Sequence, residues 1–150
     1  MQANQLKQSI QEAMKTAMRA QEKDRLLVIR LILSAMKQKE VDERIELDDT
    51  QILVILDKML SQRKESIAQY QAAKRDDLVQ KEVFETTVIQ SFMPAPLEEA
   101  EVEKLIQAAL KETGATSIRD LSKVMAILKP QLQGRADLSQ VSQKIKASFD

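Results

Sequence analysis

The stretch DRLLVIRLILSAMKQKEV, residues 24–41, decides the fold. Wound on a helix, Leu26, Leu27, Val28, Ile29, Leu31, Ile32, Leu33, Ala35 and Met36 point in nearly every direction. A helix apolar almost all round belongs at the centre of a fold, covered by other helices. Its polar exceptions, Arg30, Ser34 and Lys37, fall at i, i+4 and i+7 and share one stripe. Asp24 is placed to act as the N-cap, accepting from amides left unpaired in the first turn.

The flanking segments are one-sided, as partners for such a helix should be. Leu6, Ile10, Ala13, Met14, Ala17 and Met18 recur at spacings of three and four, which predicts a first helix. Asp48 or Asp49 can cap a third helix carrying Ile52, Leu56, Met59, Leu60, Ile67 and Tyr70. Arg63 lies in that same apolar seam. An unpaired charge there costs several kcal/mol, so two readings stand side by side: an ion pair to Glu40, Asp42 or a neighbour, or a contact to a ligand or phosphate. Arg30, Ser34, Lys37, Glu40 and Arg63 together are the polar positions expected to serve structure. Arg75-Asp76-Asp77 interrupts the chain, and a fourth helix over residues 78–92 uses Val79, Val83, Val88 and Phe92.

Met93-Pro94-Ala95-Pro96 marks a joint, because each proline disfavours helix in the residue before it and donates no amide. Beyond it, Val102, Leu105, Ile106, Ala109 and Leu110 form one helix face, and Gly114 suits a left-handed stop. Ser117 and Asp120 resemble a capping box ahead of the stripe Ile118, Leu121, Val124, Met125 and Leu128, with Pro130 as the exit. Asp137 is the expected N-cap of a last helix bearing Leu138, Val141, Ile145 and Phe149. The expected fold is all-α: an N-terminal four-helix bundle-like domain over residues 1–93, then a small three-helix domain over residues 94–150.

Composition narrows the function. The chain of 150 residues is 43% apolar, with 23 basic and 23 acidic residues, so no global field draws in nucleic acid or anionic lipid. It contains neither cysteine nor histidine. Ser-His-Asp triads, Cys-His pairs and His- or Cys-based zinc sites are thereby excluded. Two glycines cannot write a P-loop or a G-x-G-x-x-G turn. Ser34-x-x-Lys37 matches the S-x-x-K pattern, yet it sits inside a long helix without the S-D-N and K-T-G companions, and reads as a polar stripe. The acidic pairs Asp48-Asp49 and Asp76-Asp77 read as helix caps. No catalytic residue, cofactor or metal is therefore assigned. Cysteine's absence, and an amphipathic start in place of a signal-peptide core, lead to the expectation of a cytoplasmic protein with no membrane association.

Charge is uneven in the second domain. Residues 94–114 carry two lysines against five glutamates, a balance of −3; residues 115–150 carry six basic residues against three acids, a balance of +3. Arg119, Lys123, Lys129, Arg135, Lys144 and Lys146 form the candidate nucleic-acid surface, with Arg135 beside a helix start whose free amides suit a phosphate. The competing reading is a solvated helix surface, since no aromatics are interleaved.

The run Asp24-Arg25-Leu26, Arg30-Leu31, Ser34-Ala35, Lys37 and Glu40-Val41 resembles the YqeY family (the GatB/YqeY domain group). So do Gln62 to Ile67, Arg75-Asp76-Asp77-Leu78, Met93-Pro94, Gly114-Ala115, Lys123-Val124-Met125 and Gly134-Arg135-Ala136-Asp137. Ser122 stands where that family usually has glycine. The resemblance implies a helical bundle followed by a three-helix domain similar to the tail of the B subunit of the glutamyl/aspartyl-tRNA amidotransferase, where the tail helps hold tRNA. It also implies, by relation only, carbon–nitrogen ligase activity with glutamine as amido-N-donor. The expected partners are tRNA or an amidotransferase/aminoacyl-tRNA complex. The alternative is a protein-interaction module receiving a partner helix, with no nucleic-acid role.

Overall fold

The structure is a computed structural model that describes residues 5–149. The amphipathic start expected at residues 1–4 lies outside them. Among the described residues every regular element is helical: α1 (Gln5–Arg19), α2 (Lys23–Glu43), α3 (Asp49–Ala72), α4 (Asp76–Gln90), α5 (Glu99–Thr113), α6 (Leu121–Leu132) and α7 (Leu138–Ser148), with one 3-10 turn at Ile118–Asp120. The fold is all-α. The chain divides into two compact units, Met1–Pro94 and Ala95–Asp150, each with its own apolar cluster.

In the first unit α2 packs against α1, α3 and α4, and α3 forms a long hairpin with α4. Its core joins Ile10 and Ala17 of α1, Val28, Ile29, Ile32 and Met36 of α2, Ile52, Ile55, Leu56 and Met59 of α3, and Val88 and Ile89 of α4. The central helix is not enclosed, contrary to the expectation from its composition. Leu27, Leu31 and Val41 are 61%, 44% and 61% exposed, opposite the buried side. Three neighbours within the unit cover one side of the helix. Arg30, Ser34 and Lys37 are exposed as well. Asp24 is not the cap: α2 begins at Lys23 with Glu22 in the cap position and no side-chain cap bond. Val83 and Met18, expected inside, are 45% and 50% exposed.

Carboxylates fasten the ends of these helices. Asp48 caps α3 in a reciprocal box with Gln51, their amides and side chains exchanging bonds of 2.8 and 3.0 Å. Asp49, one residue on, reaches across to accept from the Leu6 amide at 2.9 Å, satisfying an orphan donor in the first turn of α1. Leu47 is fully buried in the α2–α3 connection. Arg25 stands over the Phe92 ring at 5.8 Å, linking the start of α2 to the end of the α4 segment.

The second unit packs α5 and α7 against α6 around Val102, Ile106, Ala109, Val124, Leu128, Leu132, Val141 and Ile145. Ser117 and Asp120 form the expected capping box, but around the 3-10 turn that leads into α6. Pro130 does not end α6. The helix runs on to Leu132, whose complete burial outweighs one lost amide bond near an exposed C-terminal turn.

Four helices stop in the same way. The residue at the stop adopts positive φ (Gln21 58°, Arg44 56°, Lys74 59°, Gly114 65°), and the next amide bonds back five residues. Those bonds are Glu22 to Ala17 at 3.0 Å, Ile45 to Glu40 at 3.2 Å, Arg75 to Tyr70 at 2.9 Å and Ala115 to Leu110 at 3.3 Å. Only the last uses glycine, so the other three hold a left-handed conformation that costs an L-residue about 1 kcal/mol. Lys74→Gly and Arg44→Gly are therefore expected to stabilise the chain by about 0.5–1 kcal/mol each in thermal melts. Gly114→Ala should destabilise it by a similar amount from φ alone, since its Cβ would meet nothing within 4 Å. An unchanged or lower melting midpoint for Lys74→Gly would count against this account.

Candidate nucleic-acid interface

The six basic residues of the second unit do not act as one set. Lys144 faces α5, where its ammonium lies 3.1 Å from Glu103 and 3.7 Å from Glu99. The hydrogen bond that Lys144 donates to Glu103, with the pull of both carboxylates, raises the Lys144 pKa. Gln107 and then Lys144 hold the Glu103 carboxyl below its usual range. Lys144 thus spans α7 and α5, joining the basic and acidic halves that the sequence set apart. Lys146 is two residues on, about 200° around the helix, and exposed.

Arg135 is also committed. Its Nε donates to the Ala95 carbonyl at 3.3 Å, and its own carbonyl accepts from the Leu97 amide at 2.9 Å. The arginine clips the start of this unit to the α6–α7 turn. The phosphate cradle expected beside it is occupied from within: the Asp137 carboxylate caps α7, accepting from the Ser139 and Gln140 amides at 3.0 and 3.4 Å. A phosphate there would have to displace a carboxylate and meet its charge.

Arg119 and Lys123 remain together, both exposed, one turn apart where the 3-10 turn enters α6. Asp120 stands between them, its carboxyl held low by the Thr116 amide at 3.0 Å, the Ser117 amide and the nearby Lys123 charge. Lys129 lies exposed six residues along α6 from Lys123, about 120° away around the axis. Among the described residues no cluster of three or more acids could hold a metal ion. No described helix is long and apolar enough to cross a membrane.

Of the five polar positions singled out in the first unit, Arg63 and Glu40 each make a fastening. Arg63 pairs with Glu85 across the α3–α4 hairpin, with Nη2 at 3.1 Å and Nε at 3.3 Å from the same oxygen; Nη1 reaches the Met59 carbonyl at 3.5 Å. Neither Glu40 nor Asp42 is its partner. The two side chains are 14% and 11% exposed, so each charge needs the other. Glu85 was missed in sequence, although 85, 88, 89 and 92 carry the helical spacing of a buried face. Glu40 accepts from Lys7 at 2.9 Å and from the Leu47 amide at 3.1 Å. The Lys7 bond chiefly, then the Leu47 amide, lowers its pKa against the opposing effect of burial. Beside this pair an open groove of about 510 Å³ runs between α1 and α2, lined by Gln11, Met14, Lys15, Leu33, Met36 and Lys37.

Glu85→Ala should destabilise the chain by about 3 kcal/mol, measured by urea titration, because it strands the Arg63 guanidinium. The double variant Arg63→Met, Glu85→Leu should recover most of that loss; equal losses for both would remove the pairing argument. For Glu40 the folded pKa is depressed, so its contribution is complete above the ordinary glutamate range and disappears as pH falls through the depressed value. Glu40→Gln should therefore lose stability at neutral pH and show a shallower acid limb than the parent chain in melts across pH.

The family described as Yqey-like protein matches residues 7–149. A Kluyveromyces lactis protein named altered inheritance of mitochondria protein 41, mitochondrial, is 30% identical over 93% of this chain and 74% of its own length. Proteins of the same name from Eremothecium gossypii and Saccharomyces cerevisiae are 39% and 34% identical, over 61% and 71% of this chain. The chain spans 51% and 61% of those two. These names overturn the cytoplasmic expectation, since the relatives are called mitochondrial; lack of cysteine and of a long apolar run does not separate the two compartments. With nearly its whole described length matched, this chain belongs to the Yqey-like protein family.

Proposed function

We infer that the chain is a non-catalytic accessory protein of tRNA-dependent amidation, contacting the tRNA backbone through its second unit. The exposed pair Arg119 and Lys123, one turn apart, carries this reading. Two cations at that spacing suit adjacent phosphates and read shape rather than base sequence. Lys129 and Lys146 add positive field, whereas Lys144 and Arg135 are spent on internal contacts. The ligase label borne by the YqeY resemblance would belong to a larger assembly. Releasing ammonia from glutamine calls for an activated nucleophile; the chain has no cysteine or histidine, and its one match to a Ser/Lys motif, Ser34 with Lys37, lies on an exposed helix face.

A salt titration of tRNA binding by the full chain tests this. Arg119→Ala with Lys123→Ala should flatten the slope of log affinity against log salt by about 1.4–1.8, at 0.7–0.9 per lost contact. Lys144→Ala should leave the slope unchanged. Absence of tRNA affinity even at low ionic strength removes the proposal.

A further inference from the structure

We propose that the groove between α1 and α2 is a docking site for an acidic amphipathic helix of a partner protein. Met14, Leu33 and Met36 supply an apolar floor, Lys7, Gln11 and Lys15 one wall, and Lys37 and Glu40 the other. Glu40, the one acid in the lining, is already neutralised by Lys7 at 2.9 Å. Among the described residues Lys37 makes no ion pair, though its charge acts on Glu40, and Lys15 has only Glu12 at 3.8 Å, itself mostly exposed. Within the lining three ammonium groups thus face one carboxylate, with Lys15 on one wall and Lys37 on the other above an apolar strip. Carboxylates flanking an apolar stripe complement that arrangement.

The dimensions suit a helix. Lys7 meets Glu40 at one end, and the α1–α2 turn closes the other, so the antiparallel pair sets Met18 one turn beyond Met14 along the same side. Met18, 50% exposed, and Arg30, exposed on the facing flank of α2, lie just beyond the lining. From Lys7 to Met18 is about 16 Å, three turns of a docked helix. Methionines repack around different apolar side chains more readily than branched residues do, as a helix-receiving groove requires. The inference stands apart from the tRNA reading, which rests on residues of the other unit.

The test uses the full chain and a labelled helical peptide with leucines at i, i+3, i+4 and i+7 flanked by glutamates, followed by fluorescence polarisation. The acidic peptide should bind, and Lys15→Glu with Lys37→Glu should weaken it at least tenfold. The same peptide with lysines in place of glutamates should show the reverse preference. In the unaltered chain, methionine methyl resonances of Met14, Met18 and Met36 should shift on titration while that of Met125 stays fixed. Equal binding of the acidic and basic peptides, or shifts elsewhere, overturns the proposal. Charge-dependent binding of phosphatidylglycerol vesicles but not of the peptide overturns it too, by assigning the groove to a lipid surface.

Discussion

One-sided burial of α2 is the constraint on which the first unit depends. Val28, Ile29, Ile32 and Met36 are taken up by α1, α3 and α4. Because three helices suffice to cover one side, the opposite side keeps Leu27, Leu31 and Val41 in solvent. Apolar content alone does not say how many neighbours a helix has; in a chain of 150 residues divided between two cores, too few helices remain to enclose one completely.

Polar chemistry in the molecule goes mainly to joining elements. Lys144 ties α7 to α5, Arg135 ties the α6–α7 turn to the start of its unit, Arg63 and Glu85 tie the two arms of the α3–α4 hairpin, and Asp137 closes α7. Lys144, Arg135 and Arg63 were each open to an anion-contact reading from sequence alone. What separates a clasp from a binding residue is whether a complementary group of the same chain lies within reach, and for Lys144 that group is more than 40 residues away in sequence.

Helices, their stripes and several caps were legible, because a 3.6-residue period and the chemistry of Asp48, Gly114, Ser117 and Asp137 are local. The partner of Arg63, the burial of Leu47 and the exposure of Leu27 were not, since each depends on which distant helix lies alongside. Three left-handed stops escaped notice for a different reason. Gln21, Arg44 and Lys74 have no particular preference for that backbone, so their conformation is imposed by the helices they end. The candidate site fared likewise: the basic residues were visible as a list, while their division into free and committed ones required the pairing geometry.

The way α1 is fastened affects the order in which the molecule comes apart. Helix starts ordinarily fray, yet the first turn of α1 is pinned twice by residues far along the chain: Asp49 on the Leu6 amide and Glu40 on the Lys7 ammonium. Amides near Leu6 should exchange with solvent only when those long-range anchors let go, and so report the opening of the whole unit rather than local fraying. The beginning of the helix thereby behaves, kinetically, as though it were interior.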